Sequence, residues 1–152
     1  MSDLSQFDPE AFLDSAITTE LKKRPPLAVG TYSAAIGEPK SRTWQGRKDP
    51  SKSGIALSVP LLVDVPFDQQ AAVGQPQVTL TDSIMLDLTE NGGLDLAPGR
   101  NRRLRQYYDA TDLNKPGSTP RMLQGRVIRV AVNHEIYEGE PVERVGNLAK
   151  AG

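Results

Sequence analysis

From Ile55 onward, six odd positions in succession are apolar: Ile55, Leu57, Val59, Leu61, Val63 and Val65. A period of two over that length predicts a long strand with one buried face. Pro60 falls on the opposite parity and has no amide hydrogen to give, so a free edge or a bulge is expected beside it. Upstream, Tyr32, Ala34 and Ile36 alternate with Thr31, Ser33 and Ala35, which predicts a first strand. The polar stretch Gly37–Ser53 between the two reads as a long loop. Downstream, after a connection over Phe67–Pro76, Val78, Leu80, Ile84, Leu86 and Leu88 predict a third strand. Asp82 interrupts its apolar parity and reads as a bulge or bend. Asn91-Gly92-Gly93 predicts a tight turn, after which Leu94 and Leu96 fold back briefly.

The period then changes. Leu104, Tyr107 and Tyr108 recur at i, i+3 and i+4, one face of a helix with the arginines mostly on the other. Asn101 is its expected cap and Asn114–Gly117 its stop. Val127–Val132 returns to period two as a fourth strand, with Ile128, Val130 and Val132 on one face and Arg129 on the other. Asn133–Glu140 reads as a loop, and Val142, Val145 and Leu148 predict a fifth strand that Gly146 weakens.

Residues 1–29 read as an N-terminal arm, with Asp8 capping a short helix that has Pro9 at its first position. Phe12 and Leu13 are expected to dock the arm on the body, and Leu21–Pro26 to end it in a stiff, basic, extended segment. The sharper reading takes the arm to a neighbouring subunit. The body, residues 30–150, is therefore mainly β: five strands with one helix between the third and fourth. That is the element order of an OB-like barrel. A β-sandwich with one inserted helix shows the same pattern.

Composition narrows the classes. A chain of 152 residues, 38% hydrophobic and 24% charged, suits one globular domain with a real core. Zero cysteines exclude disulfides and thiolate metal sites and suit a reducing compartment. The early acids Asp3, Asp8, Glu10 and Asp14 predict neither a signal nor a transit peptide. No apolar run approaches the ~18 residues of a membrane span, so a cytoplasmic-type protein with no membrane partner is expected. The net charge of -1 argues against a generally basic nucleic-acid binder and places that role, if any, on local patches.

Catalytic patterns are missing. The single histidine, His134, stands beside Glu135 with no G-x-S-x-G elbow in the chain, and reads as a loop or strand-end side chain. Neither G-x-x-x-x-G-K-[ST] nor G-x-G-x-x-G occurs, so no phosphate loop is expected. Asp82, Asp87 and Asp95 lack calcium-loop spacing and read as solvated carboxylates. The expectation is no enzyme, no metal and no cofactor.

Binding signals are stronger. Gly37–Ser53 carries Lys40, Arg42, Arg47, Lys48 and Lys52 against Glu38 and Asp49, with the chain's one tryptophan, Trp44, in its middle. In an OB-fold the loop between the first two strands flanks the ligand groove. Single-strand binders combine cations along the phosphates with aromatic rings under the bases. The competing reading is a solvated loop whose Trp44 packs back on the barrel. Arg126 and Arg129 add charge near the fourth strand, and Arg129 faces away from the valine stripe. The arginines Arg100, Arg102, Arg103 and Arg105 read as an exposed helix face. Glu135, Glu138 and Glu140 around Tyr137 run against a phosphate chain.

The succession Val29-Gly30-Thr31-Tyr32, Lys52-Ser53-Gly54, Gly99-Arg100-Asn101-Arg102-Arg103-Leu104, Leu123-Gln124-Gly125-Arg126 and Tyr137-Glu138-Gly139-Glu140 resembles a group of small tailed-phage proteins. They are encoded among replication and recombination genes. The resemblance spans Gly30 to about Lys150 and implies an OB-type fold that binds single-stranded DNA in the host cytoplasm, as a homo-oligomer. Two departures are plain: aromatic content is 5%, and the last residues, Asn147–Gly152, lack the acidic tail many single-strand binders carry. The rival expectation is a virion protein that decorates the capsid, with the major capsid protein as partner and the arm making subunit contacts. A small-ligand barrel is a third.

Overall fold

The computed structural model describes residues 8–49 and 51–151; residues 1–7 of the expected arm lie outside them. Six antiparallel strands form one open sheet: β1 (Gly30–Ile36), β2 (Lys40–Gln45), β3 (Ser53–Asp64), β4 (Gln77–Met85), β5 (Val127–Tyr137) and β6 (Glu140–Lys150). Among the described residues three short helices accompany them: α1 (Pro9–Phe12), α2 (Phe67–Val73) and α3 (Arg102–Ala110), with a 3-10 turn at Pro120–Leu123. Among the described residues, no helix is long and apolar enough to cross a membrane.

The long period-two stretch is the organising strand, as its pattern predicts. β4 pairs along one edge of β3 from Ala56 to Asp64. Two strands share the other edge, β2 opposite Ser53–Ser58 and β1 opposite Leu61–Val63. Pro60 faces the break between them: its carbonyl accepts from the Gly37 amide, so its nitrogen points to the same side, where no ladder donor is required. β1 also pairs with β5, and β5 with β6. The free edges of β4 and β6 carry no ladder to each other among the described residues. The sheet therefore has six strands rather than five, and backbone pairing does not close it into a barrel.

Three expectations change. The polar stretch Gly37–Ser53 contains a strand, β2, because Lys40–Gln45 completes the edge of β3 that β1 leaves open. The connection Phe67–Pro76 contains α2, closed by Gly74 at φ +82. The expected loop Asn133–Glu140 is instead a continuation of β5 into β6, through a two-residue turn in which Glu138 (φ +51) and Gly139 (φ +80) supply the positive φ values that such hairpins need. Gly146 sits in β6 at a bulge opposite Ala131, where a side chain would strike the Asn133 amide.

The odd positions of β3 meet Tyr32, Ala34 and Ile36, Val78 and Ile84, and Ile128, Val130 and Val132 in one core. α3 covers it with Leu104, Tyr107 and Ala110, and Leu123 enters from the 3-10 turn. Each buried Val, Leu or Ile among them contributes about 1.5–3 kcal/mol by leaving water. Phe12 and Leu13 stay largely exposed, so burial of these two does not anchor the arm. Leu27 does that instead: it is fully buried, its amide donates to Glu143 Oε2 at 2.7 Å, and its carbonyl lies 2.6 Å from His134 Nε2. Arg24 makes two hydrogen bonds to the same carboxylate, at 2.7 and 3.0 Å.

Asp82 is neither bulge nor bend. It pairs in unbroken register with Val59, on the inward parity of β4. Its Oδ2 accepts from Arg103 Nε at 2.8 Å and Tyr107 Oη at 2.7 Å, and Arg103 Nη2 also donates to the Val145 carbonyl at 3.3 Å. One arginine of α3 thus ties β4 to β6 across the open seam. Asn101 precedes α3 without capping it by its side chain. Held at φ +52, it donates from Nδ2 to the Asp87 and Asp95 carbonyls and accepts from the Asp87 amide, latching the end of β4 to the helix start.

Candidate nucleic-acid interface

Because Leu57, Val59, Leu61 and Val63 enter the core, the even positions of β3 and their cross-strand partners lie on the opposite side of the sheet, where Gly54, Ser58, Pro60 and Leu62 are half-buried and Ala56 is covered. That parity puts Lys40 beside Ser58, Arg42 beside Ala56 and Trp44 beside Gly54 on one outer panel. The same rows continue onto β4 as Ser83 and Met85, with Thr81 and Thr79 beyond. The panel is a strip of small and hydroxylated side chains flanked on the β2 side by two cations and an indole. Arg42 extends over the strip, its Nη2 3.4 Å from Ser83 Oγ.

Trp44 belongs to a strand, not to a loop tip. Its ring lies flat on the Gly54 backbone, where a Cβ would come within 2.8–2.9 Å of three indole atoms. Only glycine allows that approach. The ring is half-buried and outside the hydrophobic core, and its Nε1 is shielded without a partner. One face of the indole is therefore used by the sheet and its remaining surface borders the cationic strip.

The β2–β3 turn presents the next charges. It is closed by Gly46 donating to the Lys52 carbonyl at 2.8 Å and Lys52 to the Asp49 carbonyl at 3.0 Å. A Cβ on Gly46 would lie 2.5 Å from that Asp49 oxygen. Asp49 spends its carboxylate on the Ser51 amide at 3.1 Å. Arg47, Lys48 and Lys52 remain exposed.

The structure thus brings Lys40, Arg42 and Trp44 together with Arg47, Lys48 and Lys52 along one hairpin. Arg126 stands near its root, since its carbonyl accepts from Ile36 just before the kink into β2. Arg129 shares the outer side of the sheet but lies on β5 beside Ser33, with β1 between it and the panel. The parity of β3 was the signal for Ser58, Ser83, Thr79 and Thr81, which sequence reasoning passed over.

The other charged groups divide. Arg103 is committed to Asp82; Arg100 makes a loose pair with the half-buried Asp95 (3.7 Å) and Arg105 a loose exposed pair with Asp109 (3.9 Å); Arg102 is exposed. On the β5–β6 hairpin, Glu135 pairs with Arg144 and Tyr137 is exposed. Burial pushes the Tyr107 phenol far above its usual range, and the neighbouring Asp82 carboxylate adds to it. Lys150, hydrogen-bonded to Asp112 at 2.6 Å, holds that carboxyl below its usual value, while its own ammonium is raised by the same contact. No family model matches the chain, and no curated protein matches it.

Proposed function

We propose that this protein binds single-stranded DNA along the outer panel of β2, β3 and β4, and that its sheet is an OB-like barrel left open between β4 and β6. In this reading β1 and β2 are one bent first strand, β3 and β4 are the second and third, and α3 spans to β5 and β6. The β2–β3 turn is then the loop that flanks an OB groove. The observation that carries the reading is the row Lys40, Arg42, Trp44 on one outward face, followed by a turn bearing Arg47, Lys48 and Lys52. Phosphates run along the cations, and a base stacks on the indole surface that Gly54 leaves open. Such a stack contributes about 1–3 kcal/mol. If all five cations engage, the salt slope is about 3.5, at roughly 0.7 per contact.

Trp44 is the chain's only tryptophan, so its fluorescence reports this site alone. An unlabelled oligonucleotide of about 16 nucleotides should quench it, and salt should reverse the quenching. Arg42→Ala with Arg47→Ala should lower the salt slope by about one to two. No quenching and no anisotropy change at low salt would remove the reading. A second reading, a capsid-decorating protein, draws on the exposed apolar residues of the arm. Mass spectrometry of purified virions separates the two: many copies per particle favour decoration, and absence eliminates it.

A further inference from the structure

We propose that the N-terminal arm of one copy seats in the cleft beside α3 of a second copy, joining protomers head to tail. The proposal does not rest on DNA binding.

Residues 8–23 are exposed throughout. Leu13, Ile17 and Leu21 are 77%, 65% and 85% exposed and fall at i, i+4 and i+8, one stripe of a helix. The first turn of that helix exists already as α1, with Asp8 Oδ1 accepting from the Glu10 amide at 3.0 Å. Nucleation is the costly step of helix formation, so extending α1 through Leu21 on a partner surface is favoured over starting anew.

The surface that fits is the cleft between the loops around residues 94–101 and 113–120, about 640 Å³ in volume. Leu94, Leu96 and Tyr108 supply its accessible apolar wall, backed by the buried Leu104 and Leu113, and Arg100, Arg105 and Lys115 its charge, against one acid, Asp95. The arm is the complement: residues 8–21 hold Asp8, Glu10, Asp14 and Glu20 and no lysine or arginine. The ion pairs that Arg100 and Arg105 now make are long, and only Asp95 among the four side chains is half-buried, so exchanging them for arm carboxylates costs little. An amphipathic helix laid in a groove is a common mode of recognition.

Geometry sets the direction. The arm is rooted at the Asp64–Gln77 end of the β3–β4 ladder, where Ala28 donates to Gln69 of α2. The cleft lies beyond the Ala56–Met85 end, where Leu86 bonds Ile55 and Leu94 bridges Leu88. Eight ladder steps, about 27 Å, separate root from cleft. Stacked end to end, a donor at one end and an acceptor at the other make a heterologous contact that builds open chains or rings, whereas an antiparallel exchange of arms would stop at a dimer.

Sedimentation velocity of the full chain, without DNA, tests this from about 1 to about 200 µM, where micromolar contacts populate. The mean mass should rise with concentration past that of a dimer. Ile17→Glu should weaken association at least about tenfold, as should Arg105→Glu with Lys115→Glu. Mixed in equal amounts, the arm variant and the cleft variant retain one intact arm and one intact cleft, and should form dimers and nothing larger. All three positions are solvent-facing, and unchanged circular dichroism and thermal midpoints establish that each variant folds. A wild-type monomer throughout, growth that stops at a dimer, or growth indifferent to Ile17→Glu each overturns the proposal. Because no nucleic acid is present, such a failure leaves the DNA-binding reading untouched.

Discussion

Replacing Asp82 with alanine tests how the open seam is held. The carboxylate accepts from Arg103 Nε at 2.8 Å and from Tyr107 Oη at 2.7 Å, so its loss leaves a guanidinium and a phenol without their acceptor. Hydrogen bonds to charged groups contribute about 1.5–3 kcal/mol each. Breaking a buried pair by deleting one partner costs about 3–5 kcal/mol. The side chains of Arg103 and Asp82 are 24% and 17% exposed, so water recovers part of the loss. A cost of about 2–3 kcal/mol remains, which in a chain of this length lowers the thermal midpoint by roughly 4–12 °C. Urea titration and thermal melts read it directly. A double-mutant cycle with Tyr107→Phe should give a coupling of about 1 kcal/mol or more. Asp82→Leu is the sharper arm. It restores the apolar alternation of Leu80 and Ile84, so if Asp82 only interrupted the pattern it would be neutral or stabilising. If the carboxylate clamps α3 to β4 and β6, it destabilises as the alanine does. A cost within about 0.5 kcal/mol of zero for both variants refutes the clamp.

Three further outcomes are expected. Tyr107 is held above its ordinary value near 10 by burial and then by Asp82, so its contribution is complete below that value and falls as the unfolded chain ionises above it. Stability should decline by about 1.4 kcal/mol per pH unit there, and Tyr107→Phe should flatten the decline in urea midpoints measured through alkaline pH; an unchanged slope counts against the assignment. Gly54→Val drives methyls into the indole plane, so Trp44 emission should shift and stability should fall by about 1–3 kcal/mol; identical spectra would mean the ring does not rest there. Glu143→Ala removes the acceptor of the Arg24 guanidinium and the Leu27 amide, so trypsin should cut at Lys22 and Lys23 faster than in the parent chain, while equal cleavage rates would place the arm's anchor elsewhere.

Where a segment faces the core on one side and water on the other, its parity was readable. β1, β3, the first half of β5 and the apolar face of α3 follow from alternation alone, since Leu57, Val59 or Leu104 has one environment that suits it. Asp8 and Pro9 marked α1 by capping chemistry that needs no tertiary partner. What escaped has the opposite character. β2 reads Lys-Ser-Arg-Thr-Trp-Gln, with no apolar alternation, because neither of its faces enters the core. Its strand state comes from hydrogen bonds to the half of β3 that β1 leaves free, a long-range demand that no local propensity encodes. The distal half of β5 escaped for the same reason, being exposed on both faces beyond Val132.

The same logic explains the candidate site. Its cations and Trp44 were conspicuous as composition, but their mutual placement depends on the unrecognised strand. On a loop, Lys40, Arg42 and Trp44 would have no common direction. On β2 they alternate with Ser41 and Thr43 and so share one, opposite Ser58, Ala56 and Gly54. The small residues on β3 are what let that row serve as a surface: a branched side chain at residue 54 would lift the indole, and a large one at residue 56 would lie beneath Arg42. Asp82 makes the converse point on the inner parity. A lone carboxylate in an apolar row looked like a defect of the strand, and is instead the acceptor for an arginine and a tyrosine that arrive from a helix about twenty residues later. In both places the polar exception to a hydrophobic period carries a partner from elsewhere in the chain, so the exceptions, more than the period itself, point to where this fold is joined and where its cations share a surface.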